Sequence, residues 1–174
     1  MPAENVTISA NFESEKHILT INYIYSTSGN NIYPSYKDTL EYGESYSVVS
    51  PPENDGFYPS IDTVSGVMGA EDITISVSYL PRVYQVTLHP RGGMLLNGFT
   101  SDTTYTRGQV FWLPTADDIV REGYSFGGWF TDTNFNGNPW IAIPNVATGD
   151  WDLYAKWDIN SYTVTANVNP ANAG

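Results

Sequence analysis

The 174-residue sequence predicts a mainly β protein made of tandem small modules, with at most one short helix, placed in the second module. Three observations predict it. Residues 68–79 read MGAEDITISVSY, and residues 1–12 carry the same line as MPAENVTISANF, with Met, Ala, Glu, Thr, Ile and Ser in register. Self-similarity of this kind marks a repeat architecture. After each closing aromatic a new alternating run opens: HILTINYIY at His17, YQVTLHP at Tyr84, YTVTANVNP at Tyr162. Between His17 and Tyr79, finally, no run spaces its apolar residues as a helix does. Each echo therefore reads as the last strand of one module, a short connector, and the first strand of the next. A looser echo, GDWDLYAKW at residues 149–157, closes a second module. The expected organisation is the last strand of a preceding repeat at 1–13, modules at 14–81 and 82–158, and the first strand of a following repeat at 159–174.

In chain order, Val6, Ile8, Ala10 and Phe12 share one face of a period-two strand. Glu13 to Lys16 make a charged connector, and residues 18–25 form a strand with apolar groups on both faces. STSGNN at 26–31 is turn chemistry, because Gly and Asn tolerate positive φ. A polar stretch then runs to Leu40, and a second strand opens at Tyr42-Gly43-Glu44-Ser45-Tyr46. Pro51-Pro52 ends that strand, since proline cannot donate to a ladder. Asn54-Asp55-Gly56 turns the chain into Phe57-Tyr58-Pro59, and the run from Ile73 closes the module. Pro81 and Arg82 lead to the next module, whose strands are expected at Val86 and Leu88, at 110–113, at 123–129 and at 150–157. Thr115 reads as the N-cap of a short helix with Asp117 and Asp118 in its first turn, ended by Gly123.

Charge narrows the function. Seven Lys and Arg against nineteen Asp and Glu give a formal charge of -12, which repels phosphate backbones and anionic lipid heads. Nucleic acid is thus not an expected partner. No apolar run approaches the roughly 18 residues of a membrane span, so insertion of this segment into a bilayer is not expected either. The acidity is uneven: between His17 and Tyr79 one lysine faces eight carboxylates, while between Tyr84 and Trp157 four cations face seven. Without cysteine there is no disulfide, thiolate metal site or cysteine nucleophile. MPAENV lacks the charged start and apolar segment of a signal peptide, so targeting signals are expected outside this segment.

Two stretches resemble known families. Residues 84–157 resemble the Listeria–Bacteroides repeat, the internalin B-repeat type, in three places. These are an opening strand running into Gly92-Gly93, the GYxFxGW signature at 123–129, and the closing LYAKW at 153–157. The fill between Gly93 and Tyr105 is longer and more apolar than that pattern. Residues 17–79 resemble a mucin-binding-protein (MucBP) repeat in ILTINYIY, Asn30-Asn31-Ile32-Tyr33-Pro34, the Gly56-Phe57 step and DITISVSY. The flanks are similar to the end and start of divergent B-repeats. These resemblances imply small β-grasp-like modules with a mixed sheet, strung along a bacterial surface protein between a signal peptide and a wall anchor.

Candidate chemistry is sparse. His17 and His89 sit in first strands of different modules, and no serine stands in a Gly-x-Ser-x-Gly elbow, so no enzyme and no cofactor are expected. Asp132, Asn134, Asn136 and Gly137 match half a calcium loop, but its twelfth position is Ile143, so a hairpin tip rather than a metal site is expected. All five tryptophans lie in the second module. Indoles either fill a core or present a flat face to a sugar. Phe126, Leu153 or Tyr154, and Trp157 are expected in the core. Trp140 and Trp151, beside Pro139 and Gly149-Asp150, are the candidate ligand-binding aromatics. The expected function is a non-catalytic extracellular spacer in adhesion, whose partners are neighbouring repeats of the same chain. Two alternatives stand beside it: a module binding mucin-type glycans or a host surface protein, and an accessory region of a large secreted enzyme.

Overall fold

Alternation along the first apolar run sets the sheet of the first unit. The computed structural model describes residues 7–166, and the chain divides into two compact units, Met1–Arg82 and Val83–Gly174. Strand β1 (Lys16–Tyr25) turns His17, Leu19, Ile21 and Tyr23 inward and leaves Ile18 exposed, as a period of two requires. It pairs antiparallel with β2 (Asn31–Glu41) and parallel with β6 (Ile73–Pro81). Strand β4 (Phe57–Pro59) joins the far side of β6, giving the order β2-β1-β6-β4. A separate antiparallel ribbon, β3 (Ser45–Val49) with β5 (Thr63–Val67), places Val64 in the same core.

Two of these strands were not visible as such in the sequence. The polar stretch before Leu40 belongs to β2, and β5 had no signal of its own. Strand β2 breaks period two because its register against β1 shifts around Tyr23: Ile21 faces Tyr36, and Tyr23 faces Tyr33. Pro34 falls in that bulge on an edge strand, where no ladder bond needs its missing N–H.

Pro51 and Pro52 do more than end β3. Their carbonyls accept from two tyrosine hydroxyls, Tyr79 at 2.6 Å and Tyr33 at 3.1 Å. Tyr23 sets its ring edge-on to both tyrosines. Tyr79 is fully buried, and burial, with Tyr33 and Tyr23 beside it, pushes its phenol up to about 12.

The second unit repeats the plan. Strand β7 (Val83–His89) pairs antiparallel with β9 (Asp102–Thr106) and parallel with β14 (Trp151–Ile159), which in turn pairs antiparallel with β12 (Tyr124–Phe130). The order β12-β14-β7-β9 is that of the first unit read from the other edge. Both sheets are therefore mixed, with the first and last strands parallel at the centre: the β-grasp-like arrangement, without a helix among the described residues. Two short ribbons complete the unit, β8 (Met94–Leu95) with β11 (Ile119–Val120) and β10 (Phe111–Trp112) with β13 (Ala142–Ile143). Val86, Leu88, Leu113, Trp129, Ile143 and Leu153 form its own core.

One contact recurs at equivalent places. Asp72, just before β6, accepts from the Ile18 amide at 2.7 Å; Asp150, just before β14, accepts from the Gln85 amide at 2.8 Å. Each amide precedes the first parallel pair, Leu19 with Ile73 or Val86 with Trp151. The carboxylate thus closes the end of a parallel ladder that no turn can close. Asp150→Ala is expected to lower the stability of the second unit by about 1 kcal/mol. Urea unfolding followed by tryptophan fluorescence reads this directly, and Asp150→Asn, which keeps an acceptor, should recover part of the loss.

The short helix expected from Thr115 is a turn. Asp118 N–H donates to the Thr115 carbonyl at 3.0 Å, and the Asp118 carboxylate receives the Thr115 amide and hydroxyl at 2.9 and 2.7 Å. Asn97 adds a third donor at 2.9 Å, and this bond, with those from Thr115, holds the Asp118 carboxyl below its ordinary range. Immediately afterwards the β-branched Ile119 and Val120 pair with Leu95 and Met94, which withdraws them from any helix.

The flanking segments expected as strands of further repeats carry no strand at residues 7–15 and 160–166, and the remainder of those expectations, at 1–6 and 167–174, lies outside the described residues. A lone strand leaves its N–H and C=O groups unpaired, and neither flank meets a partner strand among the described residues. Ile8, Phe12, Tyr162 and Val164 accordingly stand open to solvent.

Candidate ligand-binding surface

Period two cannot sort the tryptophans in β12, because the strand is bulged. Phe126 faces Trp157 and Gly128 faces Lys156, so Gly127 is an extra residue between consecutive pairs. The bulge puts Phe126 and Trp129 on one side, their rings edge-to-face at 5.5 Å, where strict alternation separates them. Gly128 follows at φ +109, and a Cβ there would lie 2.4 Å from Cβ of Pro139. Gly127, at a variable position of the GYxFxGW signature, thus serves the bend, and Gly128, its second fixed glycine, the close approach of the 136–140 loop.

With the strand so bent, the indoles separate into two sets. Trp129 is buried and donates its ring N–H to the Pro114 carbonyl at 2.8 Å. Trp157 is half-buried against Phe126 and donates to the Pro90 carbonyl at 2.8 Å. Leu153 is fully buried, and Tyr154 stacks on His89 at 4.4 Å. The two candidate aromatics come together: Trp140 and Trp151 meet edge-to-face, with centroids 4.9 Å apart and planes at 85°. Trp140 is 38% exposed and Trp151 half-buried. The Trp140 amide donates to the Trp129 carbonyl at 2.8 Å, which ties this loop to β12.

Trp112, at 67% the most exposed of the five, was not singled out. Its signal was legible: in Phe111-Trp112-Leu113 a strand turns Phe111 and Leu113 to one side and Trp112 to the other.

Open depressions flank the indole pair. One, of about 390 Å³, is lined by Thr131, Thr148, Asp150, Trp151 and Asp152. Another, of about 420 Å³, is lined by Asn136, Gly137, Asn138, Pro139 and Trp140. A third, more apolar groove of about 270 Å³ runs past Phe126, Gly127, Gly128, Trp140 and Ile141.

Both histidines have carboxylate neighbours. His89 Nε2 lies 2.8 Å from Asp152 Oδ1, and His17 is buried with Glu15 and Asp72 each at 3.9 Å. In the loop read as half a calcium site, Asp132 Oδ1 accepts from the Asn134 amide at 2.8 Å and the Asn136 side chain at 3.3 Å, closing the turn on itself. Among the described residues no group of three or more His, Asp or Glu converges on a metal-sized space, and no helix is long and apolar enough to cross a membrane.

Two units of one sheet topology, each with its own core, define the chain as a segment of repeated β modules. Residues 84–156, within the second unit, match the family model of the Listeria–Bacteroides repeat domain. A Gly-rich membrane protein of Evansella cellulosilytica is 29% identical over 182 residues, covering 96% of this chain and 19% of that protein. A second membrane protein of the same organism is 26% identical over 186 residues, 98% of this chain and 25% of its own length. Internalin H of Listeria monocytogenes is 33% identical over 75 residues, 42% of this chain and 13% of that protein. The chain thus spans a quarter or less of the relatives it matches. Among solved structures, the mucin-binding domain of Spr1345 from Streptococcus pneumoniae is similar at a TM-score of 0.34 and 16% identity, over 40% of this chain and 93% of that one. The SHIRT domains 3-4 of a cell surface protein give a TM-score of 0.26 and 12% identity, over 83% of this chain and 98% of theirs.

Proposed function

We propose that this chain is a non-catalytic extracellular segment of a bacterial surface protein, a spacer that holds an adhesive part away from the cell wall. The observation that carries the reading is the junction. Strand β6 ends at Pro81 and β7 begins at Val83, so one residue stands between a closing and an opening strand. That residue, Arg82, is held within the first unit. Its amide donates to the Gly56 carbonyl at 2.8 Å, its Nε donates to Glu53 at 2.7 Å, and its guanidinium lies over the Tyr58 ring at 5.3 Å. The bond from Arg82 holds the Glu53 carboxyl below its usual range. A one-residue connector adds almost no free chain between repeats, so that reach accumulates with repeat number. Residues 7–12 and 162–166 fit the same reading. They repeat β6 and β7 in sequence, and they expose Phe12 and Val164 where Tyr79 and Val86 are fully buried. Neighbouring modules of the array are their natural partners.

Distances between spin labels, one in each unit, test this. A narrow distribution is expected in the native chain, broadened by a Gly-Ser insertion after Arg82. A broad distribution in the native chain would sink the spacer reading.

The Trp140–Trp151 pair favours a second reading beside the first, an adhesive module. Weak sites gain strength when many copies act together. The chain displayed densely on beads should then retain mucin or host surface glycoprotein, and no retention at any density would dispose of it.

A further inference from the structure

The geometry points to a binding site for uncharged pyranose sugars on the Trp140–Trp151 pair, a deepening that rests on the adhesive reading above. Three features select that ligand. An indole offers a flat apolar face, and a pyranose ring has one apolar face with hydroxyls around its rim, so stacking plus rim hydrogen bonds is the matching chemistry. Trp140 presents such a ring ready-made. Its plane is set by Trp151 at 85°, its backbone by the bond to Trp129, and the preceding Pro139 by the space that Gly128 leaves. A ring already ordered loses little freedom on binding, which raises affinity for a given contact.

The rim groups are of the right kind. Asn138 lines the depression that Trp140 borders, and Thr131 and Thr148 line the one that Trp151 borders. All three side chains are exposed and carry both donors and acceptors. Asp152 spends one carboxylate oxygen on His89 and has lone pairs left for a sugar hydroxyl.

Charge then chooses among sugars. Neither flanking depression is lined by Lys or Arg, one holds Asp150 and Asp152, and the whole chain carries -12. A sialic acid or a sulfated sugar would bring its anion against two carboxylates with no cation to receive it. Neutral hexoses and N-acetylhexosamines meet no such penalty. Trp112 lacks this setting: it is more exposed, yet it lines none of the three depressions and has no second indole to fix it.

The test uses the intact chain, clustered on beads, against paired neutral and sialylated mucin-type oligosaccharides. Saturable binding of the neutral members is expected, with a change in tryptophan emission and at least about tenfold weaker binding of their sialylated partners. Trp140→Ala should weaken binding about tenfold, Asn138→Ala and Thr148→Ala several-fold, and Trp112→Ala not at all. The surface changes at Asn138 and Thr148 keep the test decisive if Trp140→Ala fails to fold. Equal binding by Asn138→Ala, Thr148→Ala and Trp140→Ala variants, or a preference for sialylated sugars, overturns this site while leaving the adhesive reading in place. If native, folded chain on beads binds neither these sugars nor mucin, both fall.

Discussion

Gly93→Ala is expected to destabilise the second unit by about 3 kcal/mol, at the upper end of what overpacking costs. A Cβ on Gly93 would lie 2.3 Å from Cζ2 of Trp157 and 3.2 Å from the Pro90 carbonyl oxygen. Neither neighbour gives way cheaply. Trp157 is held by its ring N–H on that same Pro90 carbonyl at 2.8 Å and by Phe126, 5.6 Å away between centroids. Turning the indole aside would break the hydrogen bond and open the edge of the core. All five tryptophans lie beyond residue 83, so their fluorescence in a urea titration reports on the second unit alone. The midpoint should fall steeply for Gly93→Ala, while the tyrosine-based signal of the first unit keeps its own midpoint, because the two cores share no residue. An unchanged tryptophan midpoint would mean that the ring moves aside freely.

The second large effect is alkaline. Tyr79 is fully buried with its hydroxyl on the Pro51 carbonyl, and its phenol titrates at about 12 in the fold against 10.0 for the free group. The unfolded chain therefore releases this proton first, and between these two values the folded state binds more protons than the unfolded one. Stability is then full below pH 10 and falls as pH rises toward 12, by about 2 to 3 kcal/mol for this group. Tyr23, raised by burial in the same cluster, adds to the loss with the same sign. Urea unfolding of the first unit across that range measures it. Tyr79→Phe, which has no proton to lose, should flatten the profile, and a Tyr79→Phe profile as steep as the native one would place the effect elsewhere. The second unit carries a weaker version in Tyr105, also raised by burial, with its hydroxyl on the Gly149 carbonyl at 2.7 Å.

The candidate site was half legible. Trp140 and Trp151 stood out because proline and glycine flank them in loops, and loop aromatics are not consumed by a sheet face. That the two rings meet was invisible, since the contact depends on the bulge at Gly127 and on the bridge between Trp140 and Trp129. Trp112 was overlooked although the alternation of its neighbours marks it as outward-facing. The turn at Thr115 shows the opposite error: an N-cap followed by acids reads as a helix start, yet the same side chains close a turn when the next residues are claimed by a strand.

What the sequence determined by itself was everything that depends on neighbours along the chain. The repeated line around MGAEDITISVSY set the modular plan, alternation set which side of β6 is buried, and the charge of -12 set which partners are not expected. Only the tertiary structure decided what depends on residues far apart. It paired the first and last strands parallel, with Asp72 and Asp150 closing each ladder across 54 and 65 residues. It drew the polar residues of β2 into an edge strand, and it joined two indoles into one surface. The physical reason is common to all three. Side-chain alternation is a local property, whereas ladder partners and ring contacts are chosen by the whole packed sheet, whose bulges reset the alternation wherever they fall.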